Sequence, residues 1–197
     1  MRTLKPYIPI ESLPLIEKWI KQLEIFVKVK ENRNTKLGDF CINREGKNVI
    51  SINNNLNKYS FLITLTHELA HAFVWNNCKK HIPPHGKEWK QMYKRLMLNF
   101  LTPNIFPEDI IRELSNHLIN PKASTVNDYK LTSILRKYNK EQNTTISEIP
   151  EGGTFSINSG RKFIKLKKLR KRYQCKAIDS ERIYLFNPLT EVDLLNS

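Results

Sequence analysis

Tyr59-Ser60-Phe61-Leu62-Ile63-Thr64-Leu65-Thr66-His67-Glu68-Leu69-Ala70-His71-Ala72-Phe73-Val74-Trp75 is the stretch from which the rest of the chain is read. Its apolar residues recur at helical spacing with no Gly or Pro, so it predicts a helix. Leu62, Leu65, Leu69 and Phe73 form one stripe, with His67, His71 and Thr64 on a neighbouring face. A helix this apolar is largely buried, and buried histidines need partners. Histidines four apart on a helix project from one face and can share a metal ion, and a glutamate between them can hold a water beside it. The plainer reading is two core histidines bonded to backbone carbonyls. It leaves both the spacing and Glu68 unexplained.

Two histidines compete to be the third ligand. His81 follows Lys79-Lys80 and precedes Ile82-Pro83-Pro84, in a polar loop. His85 opens a second amphipathic segment, in which Trp89, Met92, Tyr93, Leu96, Met97 and Phe100 keep the helical period. A histidine at the start of a packed helix is held in place, and Gly86 beside it lets backbone approach closely, so His85 is preferred. Three ligands leave one position open, which distinguishes a catalytic zinc from a structural one. His117 falls in a third helix opened by Pro107-Glu108-Asp109 and reads as surface or packing.

Around this centre the pattern is α+β. Ser12 can cap a short helix with Pro14 in its first turn and Leu15, Ile16, Trp19, Ile20 and Leu23 as its buried stripe. Residues 25–30, 38–43 and 48–53 read as strands, the last two joined at Arg44-Glu45-Gly46-Lys47. A further helix is expected over about 128–141, and Pro150-Glu151-Gly152-Gly153 marks a boundary. Strand-like runs at 154–157, 162–166, 173–178 and 182–186 suggest a small antiparallel sheet.

His67-Glu68-Leu69-Ala70-His71, a loop, then His85-Gly86-Lys87-Glu88-Trp89 at a helix start resembles the SprT-like zinc metalloproteases, which include bacterial SprT proteins and the Spartan proteases that digest proteins crosslinked to DNA. Lys36-Leu37-Gly38-Asp39-Phe40 and Asn48-Val49-Ile50-Ser51-Ile52-Asn53 look like the strand pair that precedes the metal helix in that family. The resemblance covers roughly residues 1–120. It implies a minimal zincin-like metalloprotease domain, a three-stranded sheet plus helices carrying HExxH, over 1–121. A helical connector and linker over 122–153 and a small basic β segment over 154–197 follow. It further implies one Zn2+ held by His67, His71 and His85, Glu68 as general base, and substrate backbone added as a strand near Ser51 and Asn53. Activation by DNA is expected by analogy with Spartan.

The tail departs from the family. Many relatives end in a zinc ribbon of paired cysteines, whereas this chain has three cysteines, Cys41, Cys78 and Cys175, and no C-x-x-C pair. A four-cysteine site cannot be built from them, so the segment is expected to keep a hairpin shape without the metal. An odd, sparse cysteine set also suggests a reducing compartment. The start of the chain shows no apolar signal core, and no apolar run reaches membrane-spanning length. The expected location is cytoplasmic, with nucleoid association, and no membrane partner is expected.

The 197 residues carry a net charge of +14, an excess that draws polyanions through counterion release. Between Gly152 and Ile178 there is no acidic residue, while Arg161, Lys162, Lys165, Lys167, Lys168, Arg170, Lys171, Arg172 and Lys176 all occur. Phe155, Phe163 and Tyr173 are interleaved with them, and aromatic faces can stack on unpaired bases. These residues, Tyr173 included, are the candidate nucleic-acid contacts, for DNA read without sequence preference and in single-stranded form if the aromatics stack. The alternative is a basic hairpin whose aromatics face a small core. Three functions fit the whole: a zinc endopeptidase acting on DNA-bound or DNA-crosslinked protein, a non-proteolytic nucleic-acid-binding protein with a structural or vestigial zinc site, and a zinc peptidase for soluble peptides.

Overall fold

A computed structural model describes residues 3–33, 35–77, 83–123 and 128–195; Cys78 and His81 lie outside them. The chain divides into two compact units, 1–140 and 141–197.

The first unit begins with helix α1 (Leu13–Gln22), whose Ile16, Trp19 and Ile20 enter the core. Ser12 does not cap it as expected. A 3-10 turn (Ile10–Ser12) runs into the helix, and the Ser12 hydroxyl donates back to the Pro9 carbonyl at 2.6 Å. Three strands follow, β1 (Phe26–Lys30), β2 (Gly38–Ile42) and β3 (Asn48–Asn53), in the order β1-β3-β2. β3 runs parallel to β1 and antiparallel to β2, so the strand made last is the middle one. Ile50 and Ile52 point from it into the core.

Helix α2 (Lys58–Asn77) lies against this sheet. Asn57 caps it, its Oδ1 accepting from the amides of Tyr59 and Ser60 at 3.1 and 3.0 Å. The helix is apolar nearly all round, and Phe61, Leu62, Ile63, Leu65, Leu69 and Ala70 are buried because sheet and helices enclose it. Helix α3 (Lys87–Met97) packs Trp89, Tyr93, Leu96 and Met97 inward, and a 3-10 turn (Leu98–Phe100) carries Phe100 into the same core. Helix α4 (Glu108–Ile119) buries Ile110, Leu114, His117 and Leu118. Helix α5 (Tyr129–Arg136) packs on α4 and buries Leu131 and Leu135.

α5 ends at Arg136, five residues short of the expected 141. Residues 137–139 tighten into i→i+3 turns and pin the chain back. Tyr138 Oη donates to Asp109 Oδ1 at 2.8 Å, and Asn57 Nδ2 donates to Asn139 Oδ1 at 2.6 Å. These bonds tie the end of α5 to the starts of α4 and α2. The segment expected as a connector over 122–153 is thus divided: its helix belongs to the first unit, and residues 141–153 to the second.

The second unit is an antiparallel sheet of β4 (Thr154–Ser156), β5 (Lys162–Lys168), β6 (Tyr173–Ala177), β7 (Ile183–Phe186) and β8 (Asp193–Leu194), in the order β7-β6-β5-β4-β8. Its core is Ile146, Ile149, Phe155, Phe163, Cys175, Ala177 and Val192. β8 is too short to be read from sequence. It forms because Val192 is buried and Leu195 donates its amide to the Thr154 carbonyl at 3.2 Å. A capping box closes the turn before β4, with the Thr145 amide and hydroxyl both donating to Glu148 Oε2.

Candidate metal centre

His67 and His71 stand one turn apart on α2, and His85 lies just before α3. Their Nε2 atoms form a nearly equilateral triangle: 3.3 Å between His67 and His71, 3.1 Å between His67 and His85, and 3.0 Å between His71 and His85. Tetrahedral N ligands about 2.0–2.1 Å from one ion lie roughly 3.3 Å apart, so the triangle fits a single metal ion. Among the described residues these three form the group of His, Cys, Asp or Glu able to hold one. His85 has φ +60°, a left-handed conformation that costs a non-glycine residue about 1 kcal/mol or more. That strain turns its imidazole onto the pair from α2, and such outliers cluster at functional sites.

Trp89, one turn after His85, is the wall shared by all three rings. Its centroid is 4.5 Å from His67, 5.3 Å from His71 and 4.7 Å from His85. Its Nε1 donates to the His67 carbonyl at 3.4 Å, and Tyr93 stacks against it at 5.1 Å. Sequence reading placed Trp89 on a buried stripe but gave it no part in the site. The available signal was its i+4 spacing from His85.

Burial drives the histidines towards their neutral forms. His67 falls to about 3, mainly by desolvation and further by the charges of His71, His85 and His117, and His71 falls to about 4 by desolvation and His85. Burial lowers His85 as well. Neutral imidazoles are the form that binds metal. Glu68 moves the other way, raised to about 7 by its burial and then by Asp39, against the Phe40 backbone N–H, Lys36 and Arg33. A buried carboxyl poised near neutrality, on the residue that follows His67, suits proton transfer.

Ser51 and Asn53 are not placed to bind substrate. β3 is the central strand, so both of its edges are already paired and no further strand can add there. Their side chains are also taken. Arg33 donates from Nη1 to Ser51 Oγ at 2.9 Å and from Nε to Asn53 Oδ1 at 2.8 Å. Asn53 Nδ2 donates in turn to the carbonyls of Arg33 and Lys36. The strand with a free edge beside Glu68 is β2. The amides of Asn53 and Asn43 donate to Leu37 and Lys47, so residues 37, 39, 41 and 43 face β3. By alternation the main-chain groups of Gly38, Phe40 and Ile42 face outward.

His117 is buried packing, with Nδ1 3.0 Å from Asp128 Oδ2 and its ring edge-on to Tyr93 at 6.4 Å.

The SprT-like family model matches residues 15–108, a span that contains all three histidines and Glu68. In this part the chain is similar to the SprT-like family. Protein SprT of Klebsiella pneumoniae (strain 342) is 30% identical over a match of 101 residues that covers 49% of this chain. The matched part spans 56% of that protein, little more than half its length. No solved structure matches the chain.

Past its SprT-like part, the chain scatters its basic residues over different environments. Lys162, Lys167, Lys168, Arg170, Lys171 and Arg172 are exposed, and the last five crowd the connection from β5 to β6. Lys165 is not available to a ligand. Only 4% exposed, it donates from Nζ to the Ile149 carbonyl and lies 4.0 Å from the centre of the Tyr173 ring. Burial accordingly lowers its pKa. Arg161 is held by Asp179 at 3.2 Å and by the Tyr184 hydroxyl at 3.3 Å. The expected stacking platform is absent from the described residues of this unit. Phe155 and Phe163 are core, and half-buried Tyr173 has Lys165 and Lys168 against its ring. Cys175 is a buried free thiol, Cys41 an exposed one, and the core of this sheet is apolar where a ribbon would use metal. No helix among the described residues is long and apolar enough to cross a membrane.

Proposed function

We propose that the chain is a zinc-dependent endopeptidase acting on proteins bound or crosslinked to DNA. The observation that carries this reading is three imidazole nitrogens within 3.3 Å of one another, with the buried Glu68 next in sequence to His67. Zinc held by His67, His71 and His85 would supply Lewis acidity, making hydroxide available near pH 7 and polarising the scissile carbonyl. Glu68 takes the proton of the attacking water on a carboxylate oxygen and passes it to the nitrogen of the leaving amine. The outward main-chain groups of Gly38 and Ile42, with the carbonyl of Phe40 (whose N–H is engaged by Glu68), hold the substrate backbone as an added strand next to Glu68. A structural zinc site in a plain nucleic-acid-binding protein has no use for a carboxyl buried at that place.

The DNA part of the reading is supported by the exposed cations at residues 167–172 and by the net charge of +14. Without an exposed aromatic beside them, these cations suit phosphates rather than bases. A cytoplasmic protein with access to the nucleoid fits this reading.

The test is cleavage of a DNA-binding protein crosslinked to a DNA strand, by zinc-loaded protein with and without free DNA, beside Glu68→Gln. Glu68→Gln should bind zinc and lose turnover; cleavage by it at the wild-type rate would sink the mechanism. Zinc and DNA binding with no cleavage by wild type would favour the non-proteolytic alternative.

A further inference from the structure

We propose that Gly38 is a positioning residue for Glu68, its bare Cα forming the seat in which the carboxyl lies. The inference rests on the reading of Glu68 as the base. A Cβ at Gly38 would meet Thr64 Cγ2 at 2.7 Å, Glu68 Oε1 at 2.9 Å and Glu68 Cγ at 3.0 Å. Carbon atoms in good contact are about 3.5–4.0 Å apart, so a side chain here must displace something. Thr64 and Glu68 are one turn apart on α2, and β2 crosses both at Gly38.

Backbone conformation does not explain this glycine. Gly46, Gly152 and Gly160 have φ of +75°, +82° and +78° and open space around them, as turn glycines do. Gly38 lies outside the left-handed region and is crowded, as is Gly153. But Gly153 is crowded by Ile149 and Pro150 of its own turn, whereas Gly38 is crowded by Thr64 and Glu68 of another element, α2. An alanine can adopt its backbone, so clearance is what the position demands. Glu68 is 7% exposed and has no solvent to swing into. A side chain at position 38 therefore displaces the carboxyl from its seat against β2. It leaves the three imidazoles, held by α2, α3 and Trp89, where they are.

Gly38→Ala tests this, with Gly38→Ala/Thr64→Ser as its partner. Thr64→Ser removes the Cγ2 that meets the new methyl and keeps the hydroxyl that donates to the Ser60 carbonyl. Both variants should bind one zinc with affinity within about threefold of wild type, and both should lose at least about tenfold in kcat at unchanged KM, as misplacement of a reacting group does. The double variant should regain the melting temperature of wild type without regaining turnover. Recovery of turnover together with stability would show that the crowding matters only to packing, and would overturn the proposal. So would wild-type turnover by folded Gly38→Ala. The visible spectrum of the cobalt(II)-loaded protein at fixed pH separates this inference from the endopeptidase reading. If wild type cleaves nothing, that reading fails, and the spectrum alone decides. A change in Gly38→Ala in the direction of Glu68→Gln sustains the seat, and an unchanged spectrum overturns it.

Discussion

The Trp89 indole packs 4.5 Å from the His67 ring and donates its N–H to the His67 backbone carbonyl at 3.4 Å. One side chain from α3 thereby fixes both the ring and the backbone of a ligand on α2. Trp89→Phe keeps an aromatic wall but loses that donor and part of the contact. Metal affinity should fall about tenfold, the lower range for outer-shell partners, with the fold retained. Competition titration against a chromophoric chelator measures it; an unchanged Kd would show that Trp89 only fills space.

His85, not His81, should decide metal stoichiometry. His85→Ala removes one corner of a triangle with sides of 3.0–3.3 Å and should leave purified protein with well under one ion per chain. His81→Ala should keep one. Metal analysis of the two variants side by side checks this, and the reverse outcome would reassign the third ligand.

Asp128 ties the start of α5 to α4. Its burial would raise its pKa, but bonds from His117 and the Leu131 amide, with Lys122 nearby, hold it below the usual carboxylate range. A depressed carboxyl contributes stability above its unfolded pKa of about 3.9 and loses it as pH falls through the folded value. Asp128→Asn should therefore melt below wild type at pH 7, and the gap should close towards pH 3. Thermal melts across that range decide it. A gap that stays constant with pH would mean the charge of Asp128 contributes nothing.

Lys165 and Lys171 have similar sequence surroundings and should behave oppositely. Lys165→Met leaves the buried Ile149 carbonyl without its donor and should cost about 1–3 kcal/mol of stability. Exposed Lys171→Ala should leave stability unchanged. If residues 167–172 grip DNA phosphates, Lys171→Ala should lower the slope of log K against log salt by about 0.9. Denaturant melts and salt-dependent fluorescence anisotropy of labelled duplex measure the two effects.

Local pattern carried much of this protein. The i, i+4 histidines with Glu68 between them, the helical period of α2 and α3, and the alternation of the strands are properties of neighbouring residues, and the chain adopts them as read. The same logic singled out His85, because a ligand must be anchored and a helix start anchors it. The acid-free run from Gly152 to Ile178 was equally plain, being a matter of composition.

What sequence could not decide depended on contacts between distant residues. Order along the chain cannot tell that β3 is central, and the strand order leaves Ser51 and Asn53 on a strand with both edges paired while β2 lies at the edge. Nor does a count of lysines separate Lys165, turned inward by strand alternation beside Cys175, from Lys171 at an exposed connection. Trp89 is one more apolar residue on a stripe until α3 packs on α2, and Gly38 is one more glycine until β2 crosses Glu68. Periodicity fixes which face a side chain takes, whereas only packing of one element on another fixes what that face meets.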